Sequence, residues 1–223
     1  MVNELDNTRL RLHVGTVIHG DDAAVAIVEH QRVVPSDPWS AVRTWRHYVH
    51  AVLRPPPNVD KVADLLAEIA RDYAVAQPRV FVVPDELGAA LHDALTQERR
   101  RARDSGYASA MIAAGRVPFT GRAHLYRKVG AAQQDILNKL STAQRAGLLE
   151  LRRGMKHGQA VDKALMSYDR TARDERYIPP IVAALAVTLW DPRAGGEPRV
   201  VGKDGQVYAS MEVAHGAGTG VAY

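Results

Sequence analysis

Residues 9–29 read RLRLHVGTVIHGDDAAVAIVE, and the fold follows from where this stretch bends. Residues 9–18 alternate apolar and polar side chains, the two-residue period of a strand. His19-Gly20-Asp21-Asp22 is turn chemistry, because Gly tolerates positive φ and Asp bonds its own backbone. Residues 23–29, AAVAIVE, are short, apolar and partly β-branched, so they read as a second strand returning antiparallel to the first. VVPSDP at 33–38 breaks the chain. Residues 42–53, VRTWRHYVHAVL, contain no Gly or Pro and read as a third strand, although a helix of that length also fits.

Downstream the pattern changes to helix and strand in turn. Three prolines, Pro55 to Pro57, end the third strand, and Asn58 stands as an N-cap before VDKVADLLAEIARDYA. Val59, Val62, Leu65, Leu66, Ile69 and Tyr73 recur there at spacings of three and four, an amphipathic helix. RVFVV at 79–83 is a short apolar strand of the kind buried on both faces. A second helix, ELGAALHDALTQERRRAR, follows Pro84 and Asp85. YASAMIA at 107–113 reads as a fifth strand, 114–123 as a loop, and about 125–144 as a third helix. GLLELR at 147–152 reads as an edge strand, and 158–168 as a short helix. Pro179-Pro180 starts a last helix, IVAALAVTLW, which is apolar all round and therefore deeply buried. Asp204-Gly205 lies between β-like runs as a hairpin signal, ahead of a Gly-rich tail. The domain reading is one domain over 1–195 and a C-terminal hairpin and tail over 196–223.

Composition narrows the chemistry. The 223 residues are 46% hydrophobic and 24% charged, with a net charge of +4. This suits a globular domain and is compatible with a polyanionic partner. With no cysteine, thiolate zinc sites, iron–sulfur clusters, disulfide scaffolds and a cysteine nucleophile are excluded. No apolar run reaches the length of a membrane span, and the N-terminal residues lack a signal-peptide pattern, so the reading is cytoplasmic, in a host cell, with no membrane partner.

Three hairpin-linked strands followed by helix, strand, helix and strand give an α/β fold. It is a ribonuclease H-like mixed five-stranded sheet, with three antiparallel strands, then right-handed βαβ crossovers, and helices on both faces. Over about 9–191 the chain resembles the C-terminal nuclease domain of phage terminase large subunits, the DNA-packaging motors. Three stretches carry the resemblance: LHVGTVIHGDDAAVAIVE (12–29), RVFVVPDELGAALHDAL (79–95), and LYRKVGAAQQDILNKLSTAQRAGLLELRRG (125–154) with YIPPIVAALAVTLW (177–190). The chain has no GxxxxGK loop followed by Ser or Thr. The resemblance therefore implies double-stranded DNA as a partner, with a packaging ATPase or portal component on another chain.

The resemblance also assigns site residues. The family's first-strand acid falls at about Thr16, its turn Asp at Asp22 with Asp21 beside it, and its middle acid at Asp85. Its terminal acidic pair falls on Pro179-Pro180, with Asp174 and Glu175 the nearest carboxylates. Phosphodiester hydrolysis by two Mg²⁺ or Mn²⁺ ions needs several carboxylates converging on one point. On this reading Asp22, Asp85 and Asp174 are the catalytic candidates. Asp21, Asp22, Asp85 and Glu175 are the metal candidates, with Mg²⁺ or Mn²⁺ the cofactor if the site is active and none otherwise. The non-catalytic readings stand beside these: Asp21 and Asp22 as turn residues, Asp85 as a helix cap, and Asp174 and Glu175 as a solvated loop.

Arg99, Arg100, Arg101 and Arg103 crown the second helix, where they also complement its dipole. Arg116, Arg122, Arg127 and Lys128 bracket the next loop, and Arg152, Arg153 and Lys156 follow the late strand. Of these, Arg99, Arg100, Arg101, Arg103, Arg122, Arg127 and Lys128 are the candidate phosphate contacts. His13, His19, His30, His47 and His50 read as scattered surface residues rather than as a zinc cluster. The functional expectation is a terminase nuclease-like module that engages DNA in genome packaging and has a degenerate metal site. The alternatives are an active divalent-metal endonuclease and a catalytically inert structural or protein-interaction module.

Overall fold

The computed structural model describes residues 11–33, 44–84, 86–126, 132–155, 157–168, 178–190, 200–201 and 207–208. Three strands open the chain: β1 (Arg11–His19), β2 (Asp22–Val33) and β3 (Thr44–Leu53). His19 pairs with Asp22 across the Gly20-Asp21 turn, and Gly20 sits at φ +55°, the conformation glycine adopts without penalty. β3 returns antiparallel to β2, with a register shift at Ile27/Val28. The third stretch is thus a strand, as its Thr, Trp, Tyr and Val content favours.

Helix α1 (Val59–Asp72) begins where predicted. Asn58 Oδ1 accepts hydrogen bonds from the Asp60 and Lys61 amides at 2.9 and 3.1 Å. Strand β4 (Arg79–Val82) then pairs parallel to β1, and α2 (Glu86–Arg101) follows.

Two predicted elements differ. Residues 107–113 are helical, within α3 (Ser105–Ala113), and not a strand. Asp104 caps this helix by accepting from the Gly106 and Tyr107 amides, and an Ala-rich run after such a cap favours helix over strand. The strand of this region is β5 (Arg122–Leu125), in residues read as loop and the start of a helix; it pairs parallel to β4. RAHL has little intrinsic strand character, so its pairing to β4 decides its conformation.

Helix α4 (Ala132–Arg145), strand β6 (Leu149–Leu151), helix α5 (Gly158–Ser167) and helix α6 (Pro180–Thr188) complete the first compact unit, Met1–Trp190. Because β6 pairs parallel to β3, the sheet has six strands rather than five, in the order β5-β4-β1-β2-β3-β6. Only β2 runs against the others. Order and directions over β1–β5 are those of the ribonuclease H-like fold, with β6 added at the β3 edge. The second unit, Asp191–Tyr223, contains the antiparallel pair β7 (Val200–Val201) and β8 (Val207–Tyr208); Asp204-Gly205 lies outside the described residues.

The sheet separates two apolar layers. On one face Leu12, Val14, Ile18, Val25 and Ile27 pack with Leu66 of α1, Leu91 and Leu95 of α2, and Phe119. On the other, Val17, Ala26, Val28, Val49 and Phe81 pack with Leu137 and Leu140 of α4, Val161 of α5, and Val182 and Leu185 of α6. Eight of the nine residues of α6 are buried, as its unbroken apolar sequence requires. Its backbone lies directly on β1: a Cβ at Gly15 would fall 1.9 Å from the Ala184 carbonyl oxygen. Gly15→Ala is therefore expected to cost about 3 kcal/mol or more in urea unfolding. Gly20→Ala, with open space around it but φ +55°, is expected to cost only about 1–2 kcal/mol.

Candidate nucleic-acid interface and carboxylate positions

The carboxylate end of the sheet is where β1 and β4 finish. Asp21 is exposed in the β1–β2 turn. Asp22 opens β2, and its Oδ2 accepts a hydrogen bond from Arg54 Nη2 at 2.6 Å in a surface ion pair. Asp85, Asp174, Glu175, Arg127 and Lys128 lie outside the described residues.

Thr16 occupies the position the resemblance gives to the first-strand acid. Its register partners are Val25 and Val82, it is 0% exposed, and its hydroxyl has no hydrogen-bond partner among the described residues. Residues 12–18 of β1 are all buried, with α6 packed on one face and α1 and α2 packed on the sheet's other face. A carboxylate with its metal at Thr16 would be stripped of water with nothing polar to replace it. No three His, Asp or Glu side chains among the described residues are placed to hold a metal ion. The described residues thus do not fit a two-metal centre.

Two basic residues lie at the other end of the sheet. Arg79 and Arg122 are register partners at the starts of β4 and β5. α2 follows β4 and packs on β4, β1 and β5. A helix of its 16 residues is about 24 Å long. Its last turn carries Arg99, Arg100 and Arg101. Arg100, Arg101, Arg103 and Arg122 are exposed and Arg99 is half-buried. Arg116 is engaged structurally: it donates to Asp64 of α1 at 2.7 Å, and that carboxylate raises its pKa.

Two histidines read as surface residues, His13 and His30, are instead buried beneath α6, and His47 stands half-buried beside His30. The turn at Gly20-Asp21 gives β1 and β2 partners whose numbers sum to 41, pairing Arg11 with His30 and His13 with Val28. That register, available from the hairpin sequence, already places His13 and His30 on one face. His30 then pairs with His47 of β3. The His13 and His30 rings lie 4.3 Å apart, and the His30 and His47 rings 4.9 Å apart. His13 Nδ1 bonds the Thr188 carbonyl oxygen at 2.7 Å, and His30 Nδ1 bonds His47 Nδ1 at 2.7 Å. Burial, then the neighbouring His13 and His47, hold His30 well below its ordinary pKa; burial pushes His47 down to about 4. His19 is exposed, and His50 bonds Glu29 at 2.7 Å in a half-buried pair.

Because the Thr16 hydroxyl is buried without a partner, Thr16→Val is expected to leave stability unchanged or raise it by about 1 kcal/mol in urea unfolding. Thr16→Asp is expected to cost several times that amount, through a desolvated carboxyl group.

No protein-family model matches the chain, and no curated protein matches it. Among solved structures it is similar to the human cytomegalovirus terminase nuclease domain, at 12% identity and a TM-score of 0.47, over 86% of this chain and 88% of that one. The ribonuclease H-like assignment stands on this chain's own strand order and strand directions.

Proposed function

We propose that this chain is a nuclease-like module that holds double-stranded DNA without cutting it and serves genome packaging beside a separate ATPase or portal component. The observation that carries the non-cutting part is the burial of β1 from residue 12 to residue 18, with Thr16 where the resemblance puts the first metal-bridging acid. In a two-metal mechanism that acid would hold the ions about 4 Å apart, one beside the attacking water and one beside the leaving oxygen. Its loss is worth on the order of 10³-fold in rate or more.

DNA binding is supported by the net charge of +4, by Arg79 and Arg122 at the starts of β4 and β5, and by the arginine run that ends α2. Side chains of this kind, with no interleaved aromatic platform among Arg99–Arg103, suit contact with backbone phosphates rather than reading of bases. The packaging context comes from the three stretches that resemble terminase nuclease domains.

Fluorescence anisotropy on a duplex of about 30 base pairs tests the binding half. Affinity is expected to fall steeply between 50 and 200 mM salt, with a log–log slope of about −3 or steeper. A triple variant, Arg99→Glu, Arg100→Glu and Arg101→Glu, is expected to bind at least tenfold more weakly with a shallower slope. A flat salt response would leave a protein-interaction module as the reading. Plasmid incubated with the protein and Mn²⁺ is expected to remain supercoiled; nicking that Asp85→Ala or Asp22→Ala abolishes would establish an endonuclease instead.

A further inference from the structure

We propose that His13, His30 and His47 form a proton-sensitive latch that docks α6 on the sheet when all three rings are uncharged and loosens it on acidification. This goes beyond DNA binding and does not depend on it.

The geometry limits how much charge the cluster can hold. The bond between His30 Nδ1 and His47 Nδ1 contains one proton, whichever ring carries it. While it lasts, one of the two rings is unprotonated at Nδ1, and the pair holds at most one positive charge. His13 faces the Thr188 carbonyl through Nδ1, so it presents an N–H there in either charge state. The latch is therefore a chain of contacts from β3 through β2 and β1 to the last turn of α6. A second proton on the His30–His47 pair breaks it in the middle.

The surroundings make added charge costly. Around the three rings β1 supplies Arg11, which lies over the Trp45 ring at 5.2 Å and acts electrostatically on His30. β4 supplies Arg79, in register with His13, and Phe81, whose ring lies 4.7 Å from that of His13. β5 supplies His124, stacked on Phe81 at 5.6 Å, and β6 supplies Leu149 in register with His47. α6 has no titratable side chain, only the Thr188 carbonyl, which favours charge on His30. Among these described neighbours every ionisable side chain is cationic when charged, and none is a carboxylate. His30 Nε2 is buried without a hydrogen-bond partner among the described residues.

The sign follows from linkage. Both His30 and His47 have folded-state values below that of a free imidazole. The unfolded chain then binds more protons as pH falls below about 6.5, and folding stability falls with it.

The test uses the full chain. Urea midpoints between pH 7.0 and 5.5, above the range where carboxylates titrate, are expected to fall with a linkage approaching about two protons. His47→Gln, which keeps a hydrogen-bonding group but does not titrate, is expected to remove about one of them. Hydrogen exchange, corrected for its intrinsic pH dependence, is expected to speed up selectively at the α6 amides on going from pH 7 to 5.5. If His47→Gln does not fold, imidazole ¹⁵N spectra of the unaltered chain decide the matter. His30 and His47 neutral at pH 6 with a shared N–H support the latch. Rings that titrate near 6.5, or α6 protection that falls no more than that of α1, overturn it.

Discussion

The backbone of α6 rests on β1 at Gly15, and the rest of the fold is arranged around that contact. There is no space for even a methyl group between the Gly15 Cα and the Ala184 carbonyl. A close approach of this kind needs small residues on both sides, which Gly15 and the Ala-rich run of α6 supply. It brings Val182 and Leu185 down among Val17, Ala26 and Val28. Dispersion contacts fall off steeply with separation, so holding the helix at this depth stabilises the whole face.

The same contact shapes what the site can be. With α6 on one face and α1 and α2 covering the other, β1 becomes the driest strand of the sheet. Metal-assisted hydrolysis needs water, phosphate and carboxylates to meet, and β1 between Leu12 and Ile18 offers none of these. What it offers is a buried hydroxyl at Thr16 and a stack of imidazoles that touches the α6 C-terminus. The exposed chemistry lies at the strand ends. Asp21 and Asp22 are at one, and Arg79 and Arg122 are at the other. The residues at the centre of the sheet serve packing.

How far the residues alone disclosed this varies with the range of the interaction involved. Turn chemistry at His19–Asp22, the Asn58 cap and the apolar face of 59–73 act over a few residues, and the corresponding elements were readable directly. So was the depth of the last helix, since nothing in PIVAALAVT tolerates water. Residues 107–113 misled because Ala, Tyr, Met and Ile in a short run suit either state; the Asp104 cap decided for helix. Residues 122–125 were unreadable as a strand because RAHL gains that conformation only from β4 beside it. The place of Asp22 beside the turn was readable, but its pairing with Arg54, 32 positions away, was not.

The histidines show the division most plainly. Their positions along three adjacent strands were written in the chain, and the hairpin register even placed two of them on one face. Whether that face met water or a helix depended on α6, more than a hundred residues downstream of His47. Local order is set by hydrogen bonds and sterics within a turn or two, so residue order alone was enough to specify it. Burial and ring-to-ring contact come from packing distant segments against one another, and for these the assembled protein was required.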